Sequence, residues 1–210
     1  MFESQIKKKY QICGIRTCQG DILRDVTIAF GLELSDSSEG ESEIELEHRY
    51  YNYAVVLSQD CDLSSDYNER NKNAEIKEKI KNNELEEEKA IISNDKYLPA
   101  ILICPAYLLS DFVNGSHITS WSMNSELKNE NNQKKLKSNN EFKRYHYIRG
   151  DSDLGIPELV LDFKHFMSVP RDTLYKIHNQ VYIATISELF REELSQRFSN
   201  YISRIGLPEI

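Results

Sequence analysis

Gln59-Asp60-Cys61-Asp62 is the segment whose residue types come closest to chemistry. Asp60 and Asp62 flank a thiol, and on an extended chain they would point the same way, forming a hard-metal or acid/base pair. The same carboxylates also suit structural work, with Asp62 capping the next turn and Asp60 holding a strand end. As a nucleophile Cys61 is opposed by its acidic neighbours, because negative charge disfavours the thiolate. A metal would reverse that electrostatic logic, and Cys61 with Cys104 and either His146 or His165 would supply its ligands if the fold brought them together.

A second strip runs through residues 142–150, where Arg144, His146 and Arg149 alternate with Tyr145 and Tyr147. In an extended stretch such a strip would hold a phosphate and stack a base, as expected of a small single-stranded RNA site, with Gln59 as a further polar contact. His146 would supply general acid or base chemistry near neutral pH. The competing expectation is that the tyrosines pack inward and Arg144 pairs with an acidic surface residue. Asp162, Lys164 and His165 follow a buried strand and would either line the same rim as Asp60 or form a turn network.

Positioning these groups requires a core, and the composition provides one. The chain has 210 residues, 40% of them hydrophobic, with 12 Tyr and 8 Phe. That suits one domain over 1–210 rather than a disordered chain. The net charge of −8 is the balance of −10 over residues 1–132 and +2 over 133–210, and a broad acidic surface repels phosphate backbones. Any nucleic-acid patch would then fall between Lys134 and Arg149. Cys13, Cys18, Cys61 and Cys104 do not follow a zinc-site spacing and read as reduced thiols. There is no signal-peptide pattern and no long apolar run, so a cytoplasmic protein without membrane contact is expected.

Val26–Phe30, a segment at Ile44 and Leu46, Tyr51–Ser58, Leu98–Pro105, Glu158–Phe163 and Gln180–Ile186 read as strands. Residues 68–95 read as a partly solvated helical insertion and 124–141 as a mobile loop or short helix. After Ser187, a suitable N-cap, apolar residues at three- and four-residue steps predict an amphipathic helix over 188–205.

Gly20-Asp21-Ile22 before a strand, Ala54-Val55-Val56-Leu57-Ser58 in the next strong strand and Ile103-Cys104-Pro105 in a third together resemble the MazF/PemK toxin ribonucleases. The likeness is confined to discontinuous stretches within positions 20–107. It implies an α+β fold, a small SH3-like antiparallel β-barrel over about 20–186, carrying the two helical insertions and the C-terminal helix. In that family the second motif reads Arg-Pro-Ala-Val-Val-Leu-Ser, and the third precedes a catalytic Thr or Ser. Here the family's arginine falls on Asn52 and its hydroxyl near Tyr107, while Arg49 lies close enough in sequence to reach the area.

The resemblance therefore implies a noncatalytic binding or regulatory component of a bacterial toxin–antitoxin or anti-phage system. Such a component needs no cofactor. The acidic charge favours a basic protein partner, with a short nucleic-acid segment or a second copy as alternatives. A divergent nuclease using Mg or Mn at Asp60 and Asp62, with Zn at Cys61 and Cys104 a remoter option, is the competing expectation. A structural protein-interaction adaptor is the third.

Overall fold

A computed structural model describes residues 4–8, 16–35 and 42–203. The strands are β1 (Ile6–Lys7), β2 (Asp21–Ser35), β3 (Ser42–Val56), β4 (Ala100–Leu108), β5 (Tyr145–Ile148), β6 (Leu159–Asp162), β7 (Met167–Pro170) and β8 (Tyr182–Ile186). The helices are α1 (Asp60–Lys81), α2 (Leu109–Asn114), α3 (Glu130–Lys137), α4 (Arg171–Val181) and α5 (Glu188–Ile202). All eight strands join one antiparallel sheet in the order β1-β8-β2-β3-β4-β6-β5, with β7 also paired to β4. The sheet curls into a half-barrel, which gives the expected α+β class.

Alternation along the central strands sends side chains to two cores. Val55, Cys104, Ala106, Leu159, Leu161 and Phe163 face one side, where Leu194 and Phe198 of α5 cover them. Ala54, Val56, Ile101 and Ile103 face the other, under Leu63 of α1 and Leu174 of α4. A third cluster at the far end of the sheet joins Val160 and Tyr147 to Phe112 of α2 and Leu136 of α3. The predicted stripe on α5 is thus partly realised: Leu194 and Phe198 are buried, Leu189 and Ile202 are exposed, and Ile205 lies outside the described residues.

Three elements differ from expectation. The strand predicted to end at Pro105 runs through it to Leu108. Pro105 sits where one side of β4 changes partner, between Ile103, paired with Met167 of β7, and Ala106, paired with Leu161 of β6. Its missing N–H falls in that gap and removes no ladder bond. The two strand segments predicted around 44–46 and 51–58 are one strand of 15 residues, zipped to an equally long β2. The first helical insertion starts at Asp60 and ends at Lys81, so Asp60 and Asp62 occupy a helical first turn, not an extended chain. Acidic residues suit that position because they face the positive end of the helix dipole.

The outer edge of β5 is closed by side chains. Asn139, held at φ 57°, accepts the Tyr147 N–H at 2.7 Å and donates to the Tyr147 carbonyl at 2.9 Å, imitating a neighbouring strand. Arg197 donates to the Tyr145 carbonyl at 2.6 Å, and Gln5 accepts the Arg149 N–H at 2.7 Å.

Candidate functional site

β3 and β4 are paired only from Tyr53–Ala106 to Val56–Ile103. Beyond Tyr53 and Ala106 both strands continue but part company, β3 remaining with β2 and β4 turning to β6. The wedge between them holds a cavity of about 190 Å³. Its walls include Tyr51 and Tyr53 from β3, Tyr107 from β4, and Asp111, His117 and Trp121 from the segment that crosses over the opening. Small-ligand pockets usually exceed roughly 300 Å³, so this volume suits one side chain or ring rather than a dinucleotide-sized cofactor.

The crossing segment depends on Gly115, which ends α2 at φ 75°; a Cβ there would lie 2.1 Å from the Ser125 carbonyl oxygen. That turn delivers His117 between the rings of Phe112 and Tyr107, at centroid distances of 4.6 and 4.8 Å. Trp121 meets His165 at 4.7 Å and Tyr51 edge-on at 6.3 Å, and the Arg49 guanidinium lies 5.2 Å from the Trp121 ring. The charge of Arg49 is matched by Glu47, which accepts from its Nε at 2.7 Å and from its Nη2 at 3.1 Å.

Behind the cavity, the Tyr107 hydroxyl is 2.8 Å from His165 Nδ1. Asp162 Oδ2 is 3.7 Å from the same nitrogen, and Asp162 is fully buried in a two-pronged ion pair with Arg144. Burial pushes the Tyr107 phenol well above the ordinary tyrosine range, and lowers both His165 and His117, the latter to about 4. At neutral pH the cavity therefore presents a protonated phenol and uncharged imidazoles. These groups stack and hydrogen-bond; none carries the charge expected of a poised acid or nucleophile. Tyr107 is held in place by His165 and lines the cavity.

The residues singled out from sequence lie elsewhere. Asp60 accepts from both Arg16 Nη atoms, at 3.1 and 2.8 Å, and from the Gln19 N–H at 3.2 Å, with Arg191 3.8 Å away. Burial opposes its charge, but Arg16, Arg191 and Gln19 outweigh that and hold its carboxyl below the usual range. Asp62 and Cys61 are exposed in the first turn of α1, beside exposed Gln59. Cys104 is fully buried in the core under α5, with burial and Asp162 raising its thiol, whereas α1 covers the opposite face. The structure thus does not bring Cys61 and Cys104 together, and among the described residues no cluster of three or more His, Cys, Asp or Glu is arranged for a metal ion.

The second strip is split by strand alternation. Tyr145 and Tyr147 face α2 and α3, while His146 points into the other core against Phe163. His146 is buried, and that burial depresses its pKa to about 3. Arg144 pairs with an acid, as its structural alternative required, but with fully buried Asp162 instead of a surface residue. Tyr147 donates its hydroxyl to Glu158, and with Arg149 lines a separate open depression whose lysine, Lys137, is ion-paired to Glu158 at 2.7 Å.

Sequence reasoning missed His117, Trp121 and Asp111, and gave Tyr107 and Arg49 only a place in the toxin comparison. No motif connects them, because the wedge exists only where two strands separate. No protein-family model, curated protein or solved structure matches the chain.

Proposed function

We propose that this protein is a noncatalytic binding module that takes a cationic side chain of a protein partner into the wedge between β3 and β4. The observation that carries the reading is the wall itself: tyrosine rings and Trp121 beside the Asp111 carboxylate, with both neighbouring histidines neutral. Aromatic faces attract lysine and arginine through their quadrupole, and a carboxylate adds direct charge. The acidic excess of residues 1–132 makes the surroundings favour the same sign of ligand. The SH3-like barrel and the setting in a bacterial toxin–antitoxin or anti-phage system rest on the toxin resemblance and form part of this proposal.

Trp121 is the only tryptophan in the chain, so its fluorescence reads the cavity directly. Titration with N-acetyl-lysine methylamide and its arginine counterpart is expected to give a saturable change, weaker at high salt and weaker again in Asp111→Asn. No response up to tens of millimolar would reject the reading.

A divergent nuclease is the second reading, favoured by one observation: Arg49 and Tyr107, which neighbour or occupy the toxin-family catalytic positions, approach the same cavity. Incubation of a mixed RNA and DNA pool with magnesium, manganese or chelator, beside Arg49→Ala/Tyr107→Phe, separates the two. The binding reading expects no cleavage above a mock preparation under any condition. Metal-dependent cleavage lost in the double variant would replace it.

A further inference from the structure

The wedge opens onto an unpaired sheet edge. The Val56 carbonyl accepts from Gly20 on the β2 side, whereas the Leu57 N–H donates to Leu102 on the β4 side. Antiparallel alternation then turns the N–H and C=O of odd-numbered β3 residues away from β2. Up to Tyr53 those groups meet β4; at Tyr51, Arg49, Glu47, Glu45 and Glu43 they meet no strand among the described residues. Residues 46, 47, 48 and 50 are exposed.

We propose that an extended, basic segment of a partner protein adds to this edge of β3 as a further strand and places one lysine or arginine in the cavity at its base. This rests on the cavity reading above and specifies how the partner binds. Strand addition supplies affinity through backbone hydrogen bonds and specificity through alternate side-chain pockets, and a cavity at the end of an open edge is that combination. Charge selects the occupant. Glu47 is exposed where the backbone faces outward, and residues 1–132 hold the chain's acidic excess, so a lysine-rich strand is complementary. A second copy pairing edge to edge would set two acidic surfaces against each other, which is unfavourable. Among the described residues no strand covers this edge, while the β5 edge is closed by Asn139, Arg197 and Gln5, although exposed edges are ordinarily blunted.

The test uses an eight-residue peptide of alternating lysine and valine, blocked at both ends, and the same peptide N-methylated at alternate backbone positions. Binding to the full chain is followed by Trp121 fluorescence and by amide hydrogen exchange. The expected result is at least tenfold weaker binding of the methylated peptide, with slowed exchange at Glu47, Arg49 and Tyr51 in the unmethylated complex. Glu47→Pro removes one outward N–H without touching the β2 ladder, and is expected to weaken the peptide at least tenfold relative to Glu47→Ala. Both variants lose the Glu47–Arg49 pair beside Trp121 alike, so their responses to N-acetyl-lysine methylamide should equal one another, which also reports that the cavity is folded in both.

Equal binding of the two peptides, without exchange protection on β3, overturns strand addition while leaving the cavity reading in place. Failure of both the peptide and the single-residue probe overturns both proposals. A response to the probe with no peptide binding up to millimolar overturns strand addition alone. Peptide-induced dimerisation of the protein would identify a second copy as the occupant of the edge and overturn the partner assigned here.

Discussion

The β5 and β3 edges meet the same problem with opposite outcomes. On β5, three successive outward residues, Tyr145, Tyr147 and Arg149, have a backbone group taken by a side chain from elsewhere in the chain. On β3, the outward groups from Tyr51 to Glu43 have no strand partner among the described residues. Asn139 shows what closure requires: a residue at positive φ, fixed by α3, with both ends of its amide engaged. Among the described residues, the fold builds such a device at one edge and pairs no strand with the other.

The largest effect should come from opening the closed edge. Asn139→Ala leaves the Tyr147 N–H and C=O unpaired near the core and places alanine at φ 57°; a loss of about 2–4 kcal/mol is expected in urea unfolding. Concentration-dependent association by size-exclusion chromatography should accompany it, because β5 would then resemble β3 without its glutamates. If Asn139→Ala is as stable and monodisperse as wild type, the contrast between the edges has no energetic content.

Acid should discriminate next. His146 lies directly behind β5, and its folded pKa of about 3 is below the roughly 6.5 of an unfolded histidine. The unfolded chain therefore takes up this proton first. The contribution is intact above about pH 6.5 and is lost progressively as pH falls toward 3. At pH 5 the loss is roughly 2 kcal/mol from this one group. Denaturation midpoints at pH 7 and pH 5 should separate strongly in wild type and draw closer without converging in His146→Phe, because His117, lowered to about 4, also takes up its proton first in the unfolded chain.

The smallest effect belongs to the open edge. Glu47→Ala removes an exposed side chain that pairs with Arg49, and should alter stability by no more than about 0.5 kcal/mol. A larger change in thermal midpoint would mean that the Glu47–Arg49 pair and the Arg49–Trp121 contact behind it stabilise the ribbon.

Much of the scaffold could be read directly because its signals are local. The apolar runs at Tyr51–Ser58 and Leu98–Pro105, the late strand and the spacing of Leu194 and Phe198 are each visible within a short window. The start of α1 was less evident, since Asp60 and Asp62 fit both an extended acid pair and a helical first turn. Pro105 looked like a boundary because the break in neighbouring strands that accommodates it is a tertiary fact. The binding strip dissolved for a related reason: alternation over 144–149 is real, but both faces of that strand are covered. The cavity left no sequence signature, because it depends on where β3 and β4 stop pairing.

The position of β8 has a consequence for how this sheet is completed. β8 lies between β1 and β2, pairing Ile186 with Ile6 and Ala184 with Ile22. During synthesis the β2–β3 hairpin can zip early, through contacts local to it, but its neighbour on the β1 side, β8, is made only after β4 to β7. Closing that long loop delays assembly. Until residues 182–186 emerge, the β2 edge at Ile22 and Leu23 lacks its neighbour on that side, leaving a species prone to mispairing. Truncation just before β8 should therefore yield aggregation, even though it removes neither the hairpin nor the cavity walls.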